Sequence, residues 1–341
     1  MRQDIKDLTL QDLSSFCSEH ALPKYHADQI FRWVYQKRVE DFSKMTDIPA
    51  AARIFFAEHF LFSGSTLAMH QKSHDGTEKF LFTLRDSNRI ETVFIPEAHR
   101  NTLCVSSQVG CKFACSFCTS GTCKFIRNLE TGEIIDQYLQ VRAKVSPAVI
   151  SNIVFMGIGE PLDNFDHVVA AMRIFLERKG LSFPKAKVSL STCGLIDGIK
   201  ALAGLHLGVK LSISLHAAQD ALRSQLMPVN KKYPLKSLMA AARAFARSAG
   251  PVTFEYVLLP GVNTAPTDAI DVAKLLRGLA CKVNLIPQNT SSGASLPGED
   301  STLLFQQELK RRGVFFTLRK SRGQDIEAAC GQLRAYYEKN R

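Results

Sequence analysis

From Leu103 to Leu318, short apolar runs alternate with longer amphipathic segments, and this alternation restricts the possible architectures more than any other feature. Strands are predicted at Leu103–Ser107, Val149–Phe155, Lys187–Ser191, Val209–Leu215, Val252–Leu258, Val283–Ile286 and Val314–Leu318. Helices are predicted at about Thr131–Lys144, His167–Arg178, Leu235–Ser248, Thr267–Leu279 and Thr302–Arg312, with a short one at Asp220–Leu226. Strands separated by helical segments build βαβ units, because a parallel pair needs a crossover connection. The expected class is therefore α/β, as a partial parallel β/α barrel. Upstream, Leu8–Phe16, Ile30–Val34 and Ile48–Phe60 carry helical periodicity, while Lys79–Leu84 and Ile90–Phe94 flank a turn and read as a hairpin. Residues 1–95 are accordingly expected to form a small accessory region, helical with a short hairpin, and 96–341 the main domain.

Nine cysteines are present, five of them between Cys104 and Cys123. A secreted disulfide scaffold would be shorter and would spread its thiols, so clustered thiols in a reducing compartment read as ligands or redox groups. The segment Cys111-Lys-Phe-Ala-Cys115-Ser-Phe-Cys118 places three thiolates in one loop, directly after the first predicted barrel strand. Iron–sulfur clusters usually take four cysteines, so three close ligands leave one iron open. Phe113 and Phe117 are placed to shield such a centre. The competing reading is a structural zinc with Cys123 as fourth ligand, although the second knuckle of a zinc ribbon is missing.

The net charge is +11, and it is uneven: residues 1–100 carry 13 Lys and Arg against 14 Asp and Glu, and the remainder 30 against 18. Such an excess is the footprint of a polyanion binder, or else a solvated basic surface. No stretch approaches 18 uncharged apolar residues, so a soluble, cytoplasmic protein is expected.

The CxxxCxxC spacing resembles that of the radical S-adenosylmethionine superfamily, and Gly157-Ile-Gly159-Glu160-Pro161 resembles its Gly-Glu-Pro segment. A dinucleotide fingerprint is rejected there, because Leu162 replaces the third glycine. Over nearly its whole length the chain is similar to the RlmN/Cfr group of RNA adenine methyltransferases. The resemblance is carried by Arg89-Ile-Glu91-Thr, Leu103-Cys104-Val-Ser-Ser-Gln-Val-Gly-Cys111, Ser212-Ile-Ser-Leu-His216, Leu259-Pro-Gly-Val-Asn263, Arg319-Lys-Ser-Arg-Gly323 and Asp325-Ile-Glu-Ala-Ala-Cys330-Gly-Gln-Leu333. Pro161-Leu162 and the Arg319–Gly323 run look like the C2-directed branch; the C8-directed branch is the alternative. Thr119-Ser-Gly-Thr-Cys123 departs from the group's usual pattern.

That resemblance implies one [4Fe-4S] cluster on Cys111, Cys115 and Cys118, with S-adenosylmethionine on its open iron. Cofactor contacts are implied for Gly159, Glu160, Ser191, Ser214, Leu215, His216 and Asn289. The implied substrates are an adenosine in 23S rRNA and certain tRNAs, with a one-electron donor such as flavodoxin or ferredoxin, acting on a monomer. Cys330 would carry a methyl group and, after hydrogen abstraction from that group, join the base covalently. Glu91 would take the ring proton, and Cys104 would free the product through a transient disulfide with Cys330. Read without the resemblance, Glu91 is a solvent-facing charge, Cys104 a small core residue, Cys330 part of a packed terminal helix and His216 a satisfied buried histidine. Arg311, Arg312, Arg319, Lys320 and Arg322 are expected to hold RNA phosphates.

Overall fold

The computed structural model describes residues 2–288 and 299–333. Its centre is a ten-stranded sheet whose strands lie side by side in chain order. They are β1 (Thr66–Lys72), β2 (Glu78–Thr83), β3 (Arg89–Glu97), β4 (Arg100–Cys104), β5 (Asn152–Phe155), β6 (Val188–Thr192), β7 (Lys210–Ser214), β8 (Val252–Leu258), β9 (Cys281–Pro287) and β10 (Phe316–Leu318). β1 to β4 pair antiparallel, as a meander. From β4 to β10 every neighbouring pair is parallel. This is the expected partial parallel β/α barrel, with the meander continuing its sheet across residue 95.

Three helices precede the sheet: α1 (Leu10–Glu19), α2 (Tyr25–Tyr35) and α3 (Ala50–His59). The crossovers are α4 (Thr131–Lys144), α5 (Phe165–Leu176), α6 (Ile196–Gly204), α7 (Asp220–Leu226) with α8 (Leu235–Ser248), α9 (Pro266–Leu276) and α10 (Glu299–Arg311). Helix starts follow local chemistry. Thr9 and Asp12 form a capping box at α1, and Pro266 occupies the first turn of α9.

The outer face of the sheet is apolar. Leu103, Ile153, Leu190, Leu211, Phe254 and Leu285 pack under the helices and are almost wholly buried. The alternate positions, among them Cys104, Ser191, Ser214 and Glu255, face inward. The N-terminal segment is bound to the barrel by polar contacts. Lys6 reaches Asp136 of α4 at 2.7 Å with both side chains about 5% exposed, and Asp7 accepts the Gly132 N–H at 2.7 Å. Burial pushes the Asp7 carboxyl up to about 6.

Candidate active site

The C-terminal ends of the parallel strands surround a cavity of about 220 Å³. In βα-barrels this is the end where loops gather chemistry. Cys111, Cys115 and Cys118 line it together, flanked by Phe113 and Phe117. The loop holding them is fixed by its own backbone and by its neighbours. The Cys118 N–H donates to Cys115 O at 3.1 Å, the Ser116 N–H to Leu226 O at 2.9 Å, and the Thr119 N–H to Gly331 O at 2.6 Å. The last bond docks the segment after Cys330 directly onto the nest.

Desolvation, followed by the neighbouring groups, pushes the Cys111 thiol up to about 11 and Cys115 to about 12; Cys118 is raised too. Three desolvated thiols on the wall of one cavity suit a cluster that displaces their protons and keeps one corner free toward that cavity. Cys123 does not line this cavity; its thiol lies 3.7 Å from Thr119 O. Among the described residues, no three His, Cys, Asp or Glu converge on a point suited to one metal ion, as structural zinc requires.

Gly159, Glu160, Ser191, Ser214 and His216 all line the cavity. Leu215 does not: its side chain is fully buried in the main core, because the strand's alternation turns it outward. Asn289 lies outside the described residues. Glu160 is wholly enclosed, and its carboxylate accepts the Leu162 N–H at 3.0 Å and the Cys193 N–H at 2.7 Å. It therefore shapes the loop, and burial makes it a weaker acid than an ordinary glutamate despite those bonds. Gly159 stands at φ +104°, and a Cβ there would sit 2.5 Å from the Gln108 side chain. The Gly-Glu-Pro segment thus packs hard against the strand-end loop before the nest.

His216 is both a satisfied core histidine and a cavity wall. Its Nδ1 accepts the Val257 N–H at 2.9 Å, its ring meets Phe117 at 4.4 Å, and burial lowers it to about 3, so it is neutral. Behind it lies Arg223, with no exposed surface, donating to the carbonyls of Cys193, Ser214 and Leu215 and to Asn230 Oδ1. This one guanidinium ties the loops after β6 and β7 together, at the cost of burying a cation near the nest.

Cys330 lines the same cavity and also a second, smaller one of about 20 Å³, room for one methyl-sized group. Cys104 lines the second cavity from β4, with Val93 and Ile95 of β3. Cys104 is buried, and its thiol is pushed up to about 12 by desolvation first and by Cys330 second. Cys330 follows a short 3-10 turn, Gln324–Ile326, so the packed-helix alternative fails. Glu91 is only 4% exposed, which removes the solvent-facing alternative; its carboxylate lies 3.7 Å from Lys79 Nζ.

The basic run near the C-terminus divides. Arg311 and Arg312 both pair with Glu308, before β10 begins. Arg319, just after β10, lines both cavities; its guanidinium is held protonated more firmly than usual, chiefly by Cys330. Arg322 lies 3.9 Å from Asp75. Lys320 is exposed to solvent, as expected for a phosphate contact, and so are Arg311 and Arg312 beside their pairing with Glu308. Sequence reasoning missed Arg319 as a thiol neighbour, and also Glu255, buried and bonded to Asn284 at 2.7 Å, and Cys193, whose thiol faces Glu160. For Glu255 the signal was available, an acid inside an apolar strand.

Comparison with known proteins gives a consistent result. The Radical SAM superfamily matches residues 105–273, and the ribosomal RNA large subunit methyltransferase N-terminal domain matches residues 3–60. A dual-specificity RNA methyltransferase RlmN from Syntrophobacter fumaroxidans is 42% identical over 337 residues, covering 98% of each chain. A protein of the same name from Geobacter sulfurreducens is 42% identical and covers 97% of this chain and 92% of its own. The crystal structure of a radical SAM methyltransferase from Sphaerobacter thermophilus superposes with a TM-score of 0.89 at 42% identity, covering 98% of this chain and 99% of that one.

Proposed function

We propose, since this chain belongs to the RlmN family of radical SAM RNA methyltransferases, that it methylates C2 of an adenosine in 23S rRNA and in certain tRNAs. The observation that carries this reading is the position of Cys330, shared between the nest cavity and the cavity of Cys104. Adenine C2 offers no lone pair to a sulfonium methyl, so a polar transfer is closed and a carrier on the protein is needed. When bound, the [4Fe-4S] cluster and S-adenosylmethionine supply the methyl group and the hydrogen-abstracting radical.

Cys111, Cys115 and Cys118 would hold the cluster, with Phe113 and Phe117 excluding water from it. Gly159, Glu160, Ser191, Ser214 and His216 would line the cofactor's seat, and Asn289 is carried over from the resemblance. Cys330 takes a methyl group onto its sulfur, losing the thiol proton; that methyl group later gives up one hydrogen and bonds through its carbon to the flipped-out base. Glu91 receives the C2 proton. Cys104 then gives up its thiol proton and attacks the Cys330 sulfur. The C–S bond breaks with its electron pair going to the carbon, which takes up a proton to complete the methyl group, and the disulfide is reset by a thiol reductant.

The residues 1–95 helices and hairpin would help grip RNA, and 96–341 would form the catalytic domain. A low-potential flavodoxin or ferredoxin would supply electrons. Among the described residues no helix is long and apolar enough to cross a membrane, consistent with work on RNA in the cytoplasm. Nucleoside analysis of RNA from cells with and without this protein tests the reading. The expected result is loss of 2-methyladenosine in its absence; loss of 8-methyladenosine alone would assign the C8 reaction instead.

A further inference from the structure

We propose that Lys79 is a positioning residue: it holds Glu91 as a carboxylate and ties that base to the loop carrying Cys330. The inference rests on the reading of Glu91 as proton acceptor. Lys79 stands on β2 with its side chain 5% exposed, where an ammonium is costly unless paired. Its Nζ lies 3.7 Å from Glu91 Oε1 on β3 and donates to Glu327 O at 3.4 Å, three residues before Cys330. The same cation therefore touches the base and the carrier loop.

The rest of the neighbourhood fixes both ends. Ser106 Oγ donates to Glu91 O at 2.6 Å and accepts the Ile158 N–H at 3.0 Å, which locks β3 to the Gly157 loop. Val93, two residues along β3 and so on the same face as Glu91, lines the cavity of the two thiols. On the other side, Asp325 accepts from Ser73 Oγ at 2.5 Å and from the His74 N–H at 3.1 Å, and Asp75 accepts the Gly323 N–H at 3.0 Å. The β1–β2 turn thus grips the carrier loop, and Lys79 is its inward contact with the chemistry. In the step served, the C2–H bond breaks, the proton passes to Glu91, and the bonding pair stays with the ring. A neighbouring cation keeps Glu91 in the form able to accept that proton.

The test uses reconstituted full-length enzyme and RNA carrying C2–H or C2–D at the target adenosine. Lys79→Met should slow methylation about tenfold or more, accumulate the Cys330–RNA species on a denaturing gel, and raise the C2 isotope effect above that of wild type. Lys79→Arg should restore the wild-type isotope effect. Because the isotope effect reads only active molecules, partial unfolding of Lys79→Met leaves it interpretable. A wild-type isotope effect with no accumulated species in Lys79→Met overturns the role of Lys79. Wild-type enzyme that yields no 2-methyladenosine overturns the functional reading itself, a separate outcome.

Discussion

Replacing Cys330 with alanine is expected to abolish RNA methylation, a loss on the order of 10³-fold or more, the scale seen when a covalent group is removed. Cys330 is set apart from the nest, yet Gly331, beside it, is bonded to Thr119 at 2.6 Å. It therefore faces the cofactor cavity without being one of the three clustered thiols. The variant should accordingly retain its iron and sulfide and still cleave S-adenosylmethionine under reducing conditions. Measuring methylated RNA and 5′-deoxyadenosine side by side separates the two activities. Methylation at the wild-type rate would remove Cys330 as carrier.

The second large effect is expected from Cys104→Ala, which should trap the enzyme on its RNA. Cys104 packs among Val93, Ile158, Ala328 and Leu333, so removal of one sulfur leaves a small hole and a folded protein. The thiol is poor as it stands, held near 12 by burial, while Arg319 opposes that shift. It lines the small cavity it shares with Cys330, which places it beside the carrier sulfur it would attack. Under turnover, a slow-migrating covalent protein–RNA band should accumulate in a denaturing gel, far above the wild-type level. Complete absence of that band would exclude Cys104 as the resolving thiol.

Much of this site was legible in the chain because its parts are local. The nest spans eight residues, and Ser191 and Ser214 fall at strand ends that a parallel sheet must bring together. The parallel strands and their crossovers followed from apolar periodicity, with ends shifted by a few residues. Edge and glycine-bearing elements did not follow. β1 is an edge strand with no buried side chain, so its alternation is weak, and α6 contains Gly198 and ends at Gly204.

Long-range geometry was hidden for a different reason. Lys79 only opens a predicted hairpin strand and Arg319 belongs to a basic run read as a phosphate contact; the folded sheet is what turns them inward against Glu91 and Cys330. The same blindness joined Arg311 and Arg312 to Arg319 as one basic patch, although β10 separates them. The pairing of Cys104 with Cys330 came from resemblance; in the structure the two residues line one small cavity.

The central claim is that three thiols hold a cubane whose fourth corner stays open to S-adenosylmethionine. Anaerobic reconstitution with iron and sulfide, followed by metal analysis and low-temperature electron paramagnetic resonance of the reduced protein, tests it most directly. The account predicts four irons and four sulfides per chain, an S = 1/2 signal altered by S-adenosylmethionine, and loss of the centre in Cys115→Ala. A protein that binds zinc alone and never assembles such a centre would contradict it.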